Sequence, residues 1–199
     1  VFCAALVLCS GLNAQAAPWH VEASGPNTSP ASIQTEPIAP GPTLITVAVI
    51  DSGVIAEHPA LKGTLLPGYD MVSAQHNLRG ERSNNFAPDA RDATCGRKLV
   101  SASFRTHGTE VASLIAGNGH EGMWGVNPRA QILPVRVFSS CGVQPADMID
   151  AIRWASGLQV EGAPNNPHPA RVINISITGG STQCRPELQR TIDAVRKNG

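Results

Sequence analysis

Three short runs of apolar, largely β-branched residues constrain this chain most: Leu44–Ile50 (LITVAVI), Gln131–Phe138 (QILPVRVF) and Arg171–Ile177 (RVINISI). Each is apolar on both faces, as strands buried between two layers of a parallel sheet must be. Segments of helical period lie between and after them. His107–Asn118 carries Val111, Leu114 and Ile115 on one side. Pro145–Leu158 opens with a proline and sets Met148, Ile152 and Ala155 along one stripe. Arg185–Lys197 places Leu188, Ile192 and Val195 on one face, and Asn198-Gly199 then supplies a helix stop. The order β, long loop, α, β, α, β, α predicts an α/β fold. The expected form is a right-handed, doubly wound, mostly parallel sheet with helices on both faces. The long loop, Leu61–Thr106, shows little periodicity, and no internal repeat is evident.

Composition narrows the function classes. Fifteen Lys and Arg balance fifteen Asp and Glu. A zero net charge argues against a nucleic-acid footprint or a polybasic membrane patch. Apolar residues make up 42% and charged residues 15%, the opposite of the low hydrophobicity and high charge that disorder requires. No apolar run reaches the roughly 20 residues of a membrane span.

The ends read differently from the body. Residues 1–16 are uncharged, begin with the apolar VFCAALVLC and end in Ala14-Gln15-Ala16. They are expected to be the hydrophobic part of a secretory signal peptide, cleaved after Ala16. Residues 17–43 hold Pro18, Pro26, Pro30, Pro37, Pro40 and Pro42, a spacing that leaves only an extended segment. The folded body is expected over residues 44–199. In an alternating chain a strand should follow the last helix, so the expectation is a fragment cut at a helix end. Its exposed sheet edge would make it poorly soluble.

Two local patterns carry chemistry. The first apolar run ends in Asp51-Ser52-Gly53, which puts a carboxylate at the crevice where parallel strands leave the sheet. Thr106-His107-Gly108-Thr109-Glu110 opens a helix of small residues, with His107 expected at its N-terminal end facing the same crevice. Asp51 can then orient one ring nitrogen of His107, and the other can take a proton from a nucleophile.

With both patterns in view, VAVIDSGV followed by His58-Pro59 resembles the Asp motif of the subtilisin-like serine peptidases. HGTEVASLIAG resembles their His motif, and VINISITGG the segment that lines their substrate cleft. The order Asp then His matches theirs, with Ser last. The resemblance runs from about Leu44 to Gly199 and is nearest to secreted bacterial members, as PGYD, ILPVRVF and AIRWASG suggest. It implies catalytic roles for Asp51, the charge-relay acid, and His107, the general base. It implies that Ser176, Ile177, Thr178 and Gly179 bind substrate by pairing with its extended backbone. The nucleophilic Ser and the oxyanion-hole Asn are expected beyond Gly199. Ser52, Ser113 and Ser176 do not match the nucleophile motif, so the 199 residues alone are expected to be inactive. Secretion, action on protein or peptide substrates, a monomeric state, and no nucleic-acid or membrane partner after signal removal complete the expectation. Family members usually carry a folding propeptide, and residues 17–43 are too few for such a domain.

The sequence departs from the family pattern at two positions. Glu110 stands where a second His is common. As a helical neighbour of His107 it would favour the imidazolium, or else act as an ordinary acid in a first helical turn. Thr178 stands where the family usually has Gly, and its β-carbon would narrow the cleft. A non-catalytic relative that binds peptides or partners is therefore the alternative. A nucleotide-binding domain is excluded, because DSGV is no phosphate loop. Cys3 and Cys9 would leave with the signal. Cys95 and Cys141 are expected to form a disulfide, with Cys184 paired beyond Gly199, although sequence does not fix connectivity. No CxxC or HExxH spacing supports zinc. No cofactor is assigned with certainty, and Ca²⁺ is possible: Asp70, Glu81, Asp89 and Asp92 lie in a suitable loop without forming a recognisable calcium motif. His20, His58, His76, His120 and His168 show no ligand spacing and read as surface residues.

Overall fold

In the computed structural model of the chain, the described residues are 22–23, 34–35, 44–76, 82, 102–139, 142–178 and 185–198. Residues 1–16, expected to be a signal peptide, lie outside them. The chain divides into two units, Val1–Pro37 and Ile38–Gly199. In the first, β1 (Glu22–Ala23) and β2 (Gln34–Thr35) form a parallel pair within the segment expected to be merely extended.

Among the described residues, the second unit is built on four parallel strands. These are β3 (Thr46–Asp51), β4 (Tyr69–Asp70), β5 (Gln131–Arg136) and β8 (Val172–Asn174), in the order β4-β5-β3-β8. A short hairpin of β6 (Phe138–Ser139) and β7 (Gly142–Val143) follows β5. The helices are α1 (Ala102–Ala116), α2 (Pro145–Ala155) and α3 (Pro186–Asn198).

The period of two along each strand separates two cores. Val47 and Val49 of β3 and Ile132 of β5 pack with Ala112 and Ala116 of α1, Val54 and Leu61. Ala48, Ile50, Leu133 and Val135 point the other way, onto Ala151, Ile152, Trp154 and Ala155 of α2, with Leu188 and Val195 of α3 against the same cluster. Helices thus cover both faces, as the apolar runs predicted. Trp154 ties α2 to the sheet edge. Its ring lies 5.3 Å from Tyr69, and its indole N–H donates to the Pro164 carbonyl at 2.7 Å.

Pro134 sits inside β5, a paired strand, where a proline ordinarily breaks the ladder. Ile132 exchanges both of its backbone bonds with Thr64 and Leu66, and the Arg136 carbonyl accepts from Met71. Pro134 has the same parity, so its missing N–H faces that same side. There the pairing is interrupted between the Leu65 bridge and Tyr69, and no ladder bond is lost.

Several elements differ from expectation. β4 lies within the segment expected to be loop; two residues leave no periodic signal. β8 is shorter than Arg171–Ile177 and is the edge of the described sheet, with Val172 49% and Ile175 40% exposed. Its residues read like those of the central β3 and β5, because apolar content does not report position in the sheet. The turn at Ala74–His76 is anchored to α2: Asp147 accepts the Ser73 amide at 3.0 Å, the Ser73 hydroxyl at 3.2 Å and Arg82 Nη2 at 3.1 Å. Arg82 also donates to Asp150 at 2.7 Å and to the Met71 carbonyl at 3.1 Å. Partial burial works against the Arg82 charge, but the hydrogen bonds to Asp150 and Asp147 outweigh it and hold its pKa above the ordinary value.

Candidate active site

Asp51 is the last residue of β3, where the strand leaves the sheet. Its carboxylate is buried, and its backbone carbonyl accepts the Val137 amide at 2.9 Å. The chain then turns sharply through Gly53, whose φ of +88° favours glycine. The amide of Ser52 donates to Asp51 Oδ1 at 2.7 Å, which fixes the carboxylate against its own backbone.

His107 comes from α1. The helix begins at Ala102, so His107 lies in its second turn rather than at its N-terminal end. Gly108 suggests a helix opening in the sequence because glycine weakens helix interiors. Tertiary contact decides otherwise. A β-carbon on Gly108 would stand 2.2 Å from the Gly53 carbonyl oxygen and 3.2 Å from Asp51 Cβ. The helix therefore approaches the turn closely because residue 108 has no side chain. Two bonds lock that approach: the Gly108 amide donates to Ser52 Oγ at 3.1 Å, and the Ile55 amide donates to Thr109 Oγ1 at 2.9 Å.

This scaffold brings Asp51 and His107 together. His107 Nδ1 lies 2.9 Å from Asp51 Oδ1 and 3.0 Å from Oδ2. An ionised carboxylate only accepts, so Nδ1 is the protonated nitrogen and Nε2 carries the lone pair in the neutral ring. The carboxylate side chain is 1% exposed and the imidazole 36%. The acid is shielded from water while the base reaches the surface, an arrangement suited to moving a proton between the ring and a bound group.

Ser176, Ile177 and Thr178 follow β8. Ser176 and Thr178 are exposed, and Ile177 is half-buried against the α2 core. Asn174 Nδ2 donates to Ser176 Oγ at 3.0 Å. A cavity of about 710 Å³ adjoins this segment, lined largely by apolar groups that include Phe138, Val143, Met148, Ile177 and Leu188. Gly179 lies outside the described residues, as do Cys95, Cys141 and Cys184.

Glu110 does not occupy a first helical turn, since α1 starts eight residues earlier. Its carboxylate accepts the Thr106 hydroxyl at 2.6 Å, on the exposed side of the helix. Ser52 serves as an acceptor for α1. Ser113 Oγ is buried without a hydrogen-bond partner among the described residues. His58 is not a simple surface residue, because its Nδ1 is buried and likewise without a partner among the described residues. Asp70 does not fit a calcium loop: its Oδ2 accepts Arg136 Nη1 at 2.8 Å in a buried ion pair. Glu81, Asp89 and Asp92 lie outside the described residues. Among the described residues no cluster of three His, Cys, Asp or Glu is placed to hold a metal, and no helix is long and apolar enough to cross a membrane. The Asp70–Arg136 pair went unnoticed in the sequence, although a lone charge within the apolar run Gln131–Phe138 was its signal.

The model of the subtilase family matches residues 43–198. The extracellular protease of Xanthomonas campestris pv. campestris is 39% identical over 160 residues, covering 77% of this chain and 27% of that protein. The extracellular basic protease of Dichelobacter nodosus is 36% identical over 166 residues, covering 78% of this chain and 27% of that protein. The chain thus spans about a quarter of the length of these curated relatives. Among solved structures, a protease of Pseudoalteromonas arctica superposes with a TM-score of 0.60 at 37% identity, covering 78% of this chain and 47% of that one.

Proposed function

The chain belongs to the subtilase family, and we propose that it forms the N-terminal part of a secreted serine endopeptidase. The observation that carries the reading is the bond from His107 Nδ1 to both oxygens of buried Asp51. In this reading a nucleophilic Ser and an oxyanion-hole Asn are supplied from beyond Gly199. His107 Nε2 takes the Ser proton as the hydroxyl attacks the peptide carbonyl, then returns it to the leaving amine. Asp51 holds the ring in the required tautomer and stabilises the imidazolium that forms. Ser176, Ile177, Thr178 and Gly179 align the substrate by pairing with its backbone as an added strand.

The remaining assignments follow the same reading. Residues 1–16 direct secretion and are removed, residues 17–43 are a spacer, and residues 44–199 begin the catalytic unit. The apolar start of the chain and the extracellular relatives support export. Oxidising surroundings allow a Cys95–Cys141 disulfide. The substrates are proteins or peptides, and the enzyme acts as a monomer.

One observation favours a second reading, a subtilase-like binder without turnover. Thr178 stands exposed where the family usually has Gly. A single experiment separates the two readings. The coding sequence is expressed together with its downstream continuation through the Ser motif and assayed on a peptide substrate. Hydrolysis that falls about 10⁴-fold in Asp51→Asn, and at least as far in His107→Ala, supports the peptidase. A folded product without turnover overturns it.

A further inference from the structure

One row of charged residues crosses three adjacent strands. The register sets Asp51 of β3 opposite Arg136 of β5, and Arg136 opposite Asp70 of β4. Register partners in a parallel sheet project from the same face. Here it is the face under α1, since Val47, Val49 and Ile132 share that parity and pack on the helix. All three charged residues are buried. The central guanidinium has a carboxylate on either side, and it is committed to one of them: Arg136 Nη1 lies 2.8 Å from Asp70 Oδ2. Asp51 instead receives His107.

We infer that Asp70 is a positioning residue for the Asp51–His107 pair: by holding Arg136, it reserves Asp51 for the imidazole. The inference rests on the reading of these two as acid and base. A buried guanidinium deprived of its carboxylate must find another. Asp51 is the next along the row, on a strand about 4.8 Å away. A charged, forked donor binds a carboxylate more strongly than a neutral imidazole N–H does. Without Asp70, Arg136 turns to Asp51, and Nδ1 loses its acceptor. The pair also stiffens the strand end. Arg136 Nε donates to the Phe138 carbonyl at 3.1 Å, and the Val72 amide donates to Asp70 Oδ1 at 3.1 Å.

The test is proton NMR of the full 199-residue chain, following the far-downfield resonance of an imidazole N–H bound to a carboxylate. The resonance is assigned by its absence in His107→Gln. It is expected in the parent chain and in Asp70→Glu, lost in Asp70→Asn, and restored in the double variant Asp70→Asn with Arg136→Met, where no cation competes. The dispersed amide and methyl resonances of Asp70→Asn are expected to remain, so that the loss reports the redirection of Arg136; a collapse of that dispersion would mean that Asp70 only holds the fold and would overturn the inference. A resonance retained in folded Asp70→Asn overturns the inference and leaves the acid–base reading intact. Its absence from the parent chain overturns that reading and the inference together.

Discussion

Gly108 of α1 lies against Gly53 so closely that a β-carbon on it would stand 2.2 Å from the Gly53 carbonyl oxygen. Two opposing effects set the outcome of Gly108→Ala. Alanine favours the helix by about 1 kcal/mol. The overlap is with backbone, which yields poorly, and overpacking of this kind costs about 1–3 kcal/mol or more. The clash wins. The variant is expected to be less stable by about 1–2 kcal/mol and to lose the Nδ1–Asp51 contact. Urea unfolding measures the first effect; an unchanged or raised midpoint would contradict the packing argument.

Asp147 links the turn at Ala74–His76 to the first turn of α2. Its carboxylate accepts from the Ser73 amide, the Ser73 hydroxyl and Arg82, and it complements the helix dipole there. Asp147→Ala strands these donors, and the expected loss is about 2–3 kcal/mol. Asp147→Asn keeps an acceptor and loses the charge, so it should fall between. Equal stability of all three chains in chemical unfolding would show that the anchor contributes nothing.

Ile132 is fully buried in the layer between the sheet and α1. Truncation to Ala removes its transfer energy and leaves a cavity, with an expected loss of about 2–5 kcal/mol. Val143 is half-exposed on the short hairpin, and its truncation should cost under about 1 kcal/mol. Thermal melts of the two variants check the contrast, and similar shifts would mean that the layer assignment is wrong.

How much of this could be read in the sequence depended on the kind of signal. β3, β5 and α2 were legible because burial on two faces, or on one helical stripe, leaves long apolar patterns. Asp51 and His107 were legible because their motifs adjoin such patterns. β4 was not, since two residues carry no period. The start of α1 was misread because Gly108 looks like a helix breaker, while the contact that requires it lies on Gly53, 55 residues earlier. The charged row Asp70–Arg136–Asp51 is a property of register, which strand composition does not encode.

Glu110 lies one turn from His107 but accepts the Thr106 hydroxyl on the exposed side of α1. An exposed contact of this kind contributes little. Glu110→Gln is expected to change stability by under about 0.5 kcal/mol and to leave the His107 N–H resonance in place. Loss of that resonance would instead place Glu110 in the machinery of the pair.

Thr178 tests the peptidase reading where it is most exposed to challenge. It is exposed and, with Ile177, lines the apolar cavity. An extended peptide that pairs with residues 176–179 must bring its backbone close to this position. A β-carbon and hydroxyl hinder that approach, and glycine does not. In the protein extended through the nucleophile, Thr178→Gly should raise kcat/KM for long peptides by up to about tenfold, the equivalent of about 1.4 kcal/mol. Substrates too short to reach residue 178 should be cleaved at an unchanged rate. A gain for short and long substrates alike would place the effect at the reacting bond, not along the cleft. No gain for either would mean that substrate does not pair with the chain at this point.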